Sequence, residues 1–216
     1  MVAAVLLLAL CTNTAAADSK NACVGASTAV DVRVSFTPGT AVIDDSKASR
    51  ELEKTGGKSA AFHQLGVTRA MIQRVLHVQF DESDPSACAR PKVLLQLTVR
   101  PLMVDLASEL NRDPCLRAYV LEHEMQHVAI YNAAGRKAAL QLEREMRARL
   151  TYTRSRGNAE AALREMQARI DGQWSSRLDA LMSEADAEQD ALDVDQDRRA
   201  YRACNGATGS LLQTLK

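Results

Sequence analysis

From Asp113 to Leu192, apolar residues recur at three- and four-residue steps with one short interruption. That period belongs to the α-helix, in which residues i, i+3, i+4 and i+7 share a face. The interruption is "TRSRGN", Thr153 to Asn158, where a glycine and a capping asparagine fall together. The chain is thereby committed to two long helices that pack on each other as an antiparallel hairpin. The first starts at Asp113–Pro114, with proline at the position where a missing N–H costs nothing. It carries Leu116, Val120, His123, His127, Ile130 and Ala134 at helical spacing and runs past Gly135, a local weak point, to about Tyr152. The second spans Ala159 to Leu192, with a stripe of Leu163, Ile170, Trp174, Leu178, Leu181, Ala185 and Leu192. That stripe is too irregular to favour a coiled-coil dimer.

The preceding half has a different period. In "VDVRVSF", Val30, Val32, Val34 and Phe36 alternate with polar residues, the mark of a half-buried strand, and "TPGT" closes it. The polar "DDSKASRELEKTGGKSA" reads as a surface loop or short helix, and "IQRVLHVQF" as a second strand. "KVLLQLTVRPLMVDL" reads as two more, divided at Pro101, because proline cannot serve inside a central strand. The expected class is α+β: a small antiparallel sheet over residues 18–111, then the helical hairpin of 112–216.

Two partner classes are set aside by composition. Lys+Arg and Asp+Glu balance at 27 each, which leaves no basic footprint for nucleic acid. No apolar run reaches the ~20 residues of a membrane span. Residues 1–17, "MVAAVLLLALCTNTAAA", have the short apolar run and the Ala15-x-Ala17 end of a cleavable export signal, although no Lys or Arg precedes the run. Lipidation at Cys11 fits less well, since bulky Leu10 stands before it. Residues 18–216 then form a single mature domain, periplasmic or secreted. Its four cysteines, Cys23, Cys88, Cys115 and Cys204, read as two disulfides with three connectivities open. With no C-x-x-C pair among them, they do not read as a zinc site.

Two of the four histidines stand in "VLEHEMQHVAIYN" as H-E-x-x-H, inside the first helix. His123 and His127, four apart, project from one face and can both reach one zinc ion at about 2 Å. Glu124 lies one residue round from His123, where it can take a proton from a metal-activated water. A site that keeps a position for water needs a third protein ligand. No histidine follows in "VAIYNAAGRK", so the ligand is expected to be a carboxylate on the second helix. Counted from Trp174 at 100° per residue, Glu188 falls about 40° from the centre of the apolar stripe. Glu188 is therefore the expected ligand, with Glu184 and Asp193 as alternatives. His63 and His77 read as surface or hydrogen-bonded side chains. Tyr119 reads as core or as an oxyanion donor, and "LMVDLA" as a sheet strand or a strand that pairs with an extended substrate.

The strand-rich front half, Cys115, "LEHEMQHVAIY", a long helix and the closing "LDVDQDRRAYRACNG" together resemble the bacterial predicted secreted zinc-dependent proteases. This family is otherwise described as of unknown function. The resemblance implies His123 and His127 as ligands, Glu124 as the catalytic glutamate and a Cys115–Cys204 bridge, which leaves Cys23 and Cys88 for each other. Members often end in a "YD" and "HG" signature, where this chain has "YRACNG". The expectation is a zincin-like, exported, Zn2+-dependent hydrolase, most simply a metallopeptidase acting on a peptide or protein. Two other readings remain: a hydrolase of non-peptide amides or esters, and a non-enzymatic envelope protein acting through partners, with or without metal.

Overall fold

A computed structural model describes residues 27–56, 64–80, 91–153, 159–194 and 196–204. The expected signal segment 1–17, Cys11, Cys23, Cys88 and His63 lie outside these residues.

The elements, in order, are β1 (Ser27–Ala29), β2 (Asp31–Thr37), β3 (Val42–Asp44), α1 (Ser49–Gly56), β4 (Gly66–Phe80) and β5 (Pro91–Leu106). A 3-10 turn at Ser108–Arg112 leads into α2 (Pro114–Arg149), then β6 (Thr151–Thr153), α3 (Ala159–Asp193) and α4 (Gln196–Ala203). The class is α+β, as expected, but the sheet is not antiparallel. β5 pairs parallel with β2 and β3, and antiparallel with β4. β1 and β6 form a separate two-stranded pairing. Period-two alternation shows which side chains face the core; it carries no information about strand direction.

β5 is one strand, not two. Pro101 sits where two residues of β5 stand opposite Met71 of β4, between the pairs Ala70–Leu102 and Ile72–Val99. A bulge is the place within a sheet where a proline costs no ladder hydrogen bond. On the other side of β5, β2 and β3 act as one edge strand interrupted at Pro38–Ala41. They keep the same offset from β5, with Thr37 opposite Thr98 and Val42 opposite Met103. β5 is thus flanked on both sides, so the "LMVDLA" segment has no free edge to offer a substrate.

Helix α2 lies along the β2 edge and occupies its unpaired backbone groups. Val34 N–H donates to Glu143 (3.0 Å), and Arg147 Nε donates to the Val32 carbonyl (2.9 Å). The Asn132 side chain closes both sides of Gly39, accepting from its N–H (2.8 Å) and donating to its carbonyl (3.1 Å). An edge strand covered in this way cannot template pairing with another chain. Gly135, in mid-helix, lets the Phe36 ring of β2 approach: a Cβ there would lie 2.8 Å from ring carbon Cζ.

Asp113 caps α2, its carboxylate accepting from Leu116 N–H at 3.0 Å, and Pro114 takes the first helical position as expected. α3 returns antiparallel to α2. Arg177 of α3 meets Glu145 near the end of α2, whereas Gln189 and Asp193 reach back to His127 and His123. One core cluster joins β2, β4 and the front of β5 to Leu142, Met146, Ile170, Trp174 and Leu178. A second gathers Leu52, Val104, Leu106, Leu116, Val120 and, from α4, Ala200. Asp105 is fully buried in β5 between Lys47 (2.6 Å) and Arg69, so the charge is paired on both oxygens. Cys115 at the start of α2 is bonded to Cys204 just past α4, with Cα atoms 5.9 Å apart, the pairing that the resemblance implied.

Candidate metal centre

His123 and His127 lie one turn apart near the middle of the first half of α2, 4% and 8% exposed. Their rings meet edge to face, with centroids 4.7 Å apart. Their Nε2 atoms stand 3.0 Å from each other, and Asp193 Oδ1 stands 3.0 Å from that of His127 and 3.2 Å from that of His123. Three donor atoms thus form a nearly equilateral triangle. Tetrahedral ligands at about 2 Å from zinc stand about 3.3 Å apart, so the triangle has the size of one face of such a site. A single proton could satisfy one edge of it; a cation satisfies all three. His123, His127 and Asp193 can accordingly hold one metal ion.

Glu188 is not part of this group. It is exposed on α3 and contributes to the negative field at Lys137. Glu184 is exposed as well and pairs with Lys137 at 2.6 Å. The carboxylate comes from the alternative, Asp193, at the last residue of α3. The reason lies in the buried stripe, which ends in four-residue steps: Leu181, Ala185, Gln189. The next step lands on Asp193. A stripe that advances by four drifts round the helix relative to a 100° wheel, and it carries Glu188 to the outside.

Glu124 is 3% exposed and points to the sheet side of α2. Its Oε2 accepts from Thr68 Oγ1 at 2.7 Å, and the same hydroxyl lies 3.2 Å from the Glu124 carbonyl. Gly66, at the start of β4, supplies the space. A Cβ there would lie 2.8 Å from both Glu124 Cγ and Val120 Cγ1 and nearer still to Glu124 Oε1. Burial raises the Glu124 pKa above the ordinary carboxylate value, against the opposing pull of the Thr68 hydrogen bond and the two histidines. At His127 burial pulls the pKa down, but the hydrogen bonds to Asp193 and Gln189 outweigh it and the net direction is up.

Beside His123 a pocket of about 150 Å³ opens between α2, the end of α3 and α4. Tyr119, Glu122, Gln126, Leu192 and Arg199 complete its lining. Tyr119 therefore borders the site rather than filling the core alone. His77 is exposed on β4, in keeping with a surface histidine.

No protein-family model, curated protein or solved structure matches this chain. Its chemistry is read from its own side chains. Sequence reasoning passed over Gln189, Thr68 and Gly66, each of which touches a motif residue. Only Gln189 left a signal: it precedes Asp193 by four residues, as His123 precedes His127.

Proposed function

We propose that the chain is an exported zinc-dependent hydrolase of zincin-like build, acting on peptide bonds. The observation that carries this reading is the triangle of His123 Nε2, His127 Nε2 and Asp193 Oδ1, with a buried Glu124 on the same helix turn. Two imidazoles and one carboxylate are a donor set suited to zinc with a position left for solvent. Bound there, zinc would supply Lewis acidity and make a water molecule acidic near neutral pH. Glu124 takes the proton in this scheme. Thr68 holds the Glu124 carboxylate in place. In this scheme Tyr119, which lines the pocket beside His123, donates to the developing oxyanion. An extended peptide would in this scheme pair with the outer edge of β4, which starts beside Glu124 and among the described residues pairs with no strand other than β5.

The Cys115–Cys204 bridge supports an oxidising compartment. No described helix is long and apolar enough to cross a membrane.

Metal analysis of the purified mature chain and of Glu124→Gln tests the proposal. Both should hold about one zinc, since Glu124 is no ligand, and only the wild type should cleave a peptide library. Loss of metal from both under non-chelating conditions would overturn the zinc reading. Zinc without cleavage of any peptide, amide or ester would favour a non-enzymatic, metal-binding envelope protein.

A further inference from the structure

Gln189 is 8% exposed, and both ends of its amide meet His127. Its Nε2 lies 3.2 Å from the His127 backbone carbonyl, and its Oε1 meets the ring Nδ1. The two contacts fix each other. A backbone carbonyl can only accept, so the end of the amide beside it must be the NH2. The carbonyl end of the amide then faces the ring and can only accept in turn, so Nδ1 must carry the hydrogen. A neutral ring with its hydrogen on Nδ1 has its lone pair on Nε2, the atom that stands in the donor triangle.

We infer that Gln189 is a positioning residue that holds His127 in the single tautomer able to bind a metal through Nε2. The inference deepens the zinc reading given above. The chain achieves this with one repeated spacing. Four residues separate His123 from His127 on α2, and four separate Gln189 from Asp193 on the antiparallel α3. Asp193 meets the Nε2 corner of both rings, and one turn earlier Gln189 meets the far side of His127. The ligand and the group that orients its neighbour thus stand on one ridge of α3. Metal-bound histidines commonly donate their second N–H to such an acceptor, and loss of that partner weakens binding about 10–100-fold.

The experiment compares wild type, Gln189→Leu and Gln189→Glu by two measurements. One is the nitrogen chemical-shift pattern of the His127 ring in metal-free protein, taken at a pH high enough to leave the ring neutral beside Asp193, which reports the tautomer directly. The other is zinc affinity by competition with a chromophoric chelator. Wild type should show the hydrogen on Nδ1. Gln189→Leu should show mixed tautomers and bind zinc about 10–100-fold more weakly. Gln189→Glu keeps an acceptor for Nδ1 but loses the NH2 that meets the His127 carbonyl, so it should keep the wild-type tautomer and bind zinc with an affinity between those of wild type and Gln189→Leu. If Gln189→Leu keeps the wild-type tautomer and binds zinc within twofold of wild type, the inference is overturned. Should Gln189→Leu not fold, a mixed tautomer in wild type or in folded Gln189→Glu would overturn it equally. The tautomer is read without metal, so a wild type that binds no zinc would remove the zinc reading and leave the role of Gln189 to be decided by the ring alone.

Discussion

At the scale of single residues, the site depends on which carboxylate of α3 completes the triangle. Asp193→Ala removes one of three donors and should weaken zinc binding by at least tenfold, whereas Glu188→Ala, on the exposed side, should bind like wild type. Chelator competition on the two variants decides it, and the opposite order would return the ligand to Glu188. The histidine pair was legible in the sequence because its spacing lies within one helix and needs no knowledge of a partner. The carboxylate that joins them was not, because its phase depends on how α3 drifts along α2, which a fixed 100° step does not contain. Gly66 was still less legible. Its smallness matters only because Glu124 fills the space beside it, from a chain position far removed. Gly66→Ala should displace the Glu124 carboxylate from Thr68 and lower hydrolysis at least tenfold while zinc content stays at wild-type level. Equal activity in the alanine variant would show that the carboxylate has room elsewhere.

At the scale of elements, the hairpin is clamped at the end away from His123 and His127. Arg177 of α3 donates from Nε (3.0 Å) and Nη2 (2.7 Å) to the two oxygens of Glu145 on α2. This fork, with help from Gln141, holds the Glu145 carboxyl down at about 2. The folded state therefore resists protonation more than the unfolded chain does, and the unfolded chain takes up the proton first as pH falls. The stabilisation is fully present above the ordinary glutamate range and is lost as pH drops from about 4.5 towards about 2. The guanidinium is exposed, so solvent screening keeps the contribution of the pair small. Urea titrations should find Arg177→Gln slightly less stable than wild type at pH 7, with the gap closing near pH 2. A constant gap across that range would assign the loss to packing of the arginine stem. The hairpin itself, its cap at Asp113 and its antiparallel return were all readable, because helix period and breakers are local. The sheet was readable only as strands. Direction, the interrupted β2–β3 edge and the bulge at Pro101 all depend on pairing between distant segments.

At the scale of the whole molecule, the His123–His127–Asp193 group sits where three separate constraints meet. The α2 helix supplies the histidines, β4 supports Glu124 from the sheet side, and α3 ends at Asp193. What keeps that last turn of α3 in place is α4. Arg199 of α4 donates from Nη2 to the carbonyls of Leu192 (2.7 Å) and Val194 (3.0 Å), the two residues flanking Asp193. α4 is anchored in turn by buried Ala200 and by the Cys204 bridge to Cys115, nine residues before Glu124 in the same helix. The disulfide thus closes a loop that contains the entire hairpin, with a sequence separation of 89. On the chain-entropy account a loop of that length contributes about 4.6 kcal/mol, which in a chain of this size is worth roughly 9–18 °C in Tm. The paired Cys115→Ser, Cys204→Ser variant should melt lower by that amount in the metal-free state. It should also bind zinc more weakly than wild type, because release of α4 loosens the carbonyl cap beside Asp193. Arg199→Ala separates the two effects: it leaves the loop closed and should reproduce the loss of affinity with little change in Tm. If the paired serine variant melts low yet binds zinc as tightly as wild type, the bridge stabilises the fold without holding the ligand, and Asp193 is kept in place by the α2–α3 contact alone.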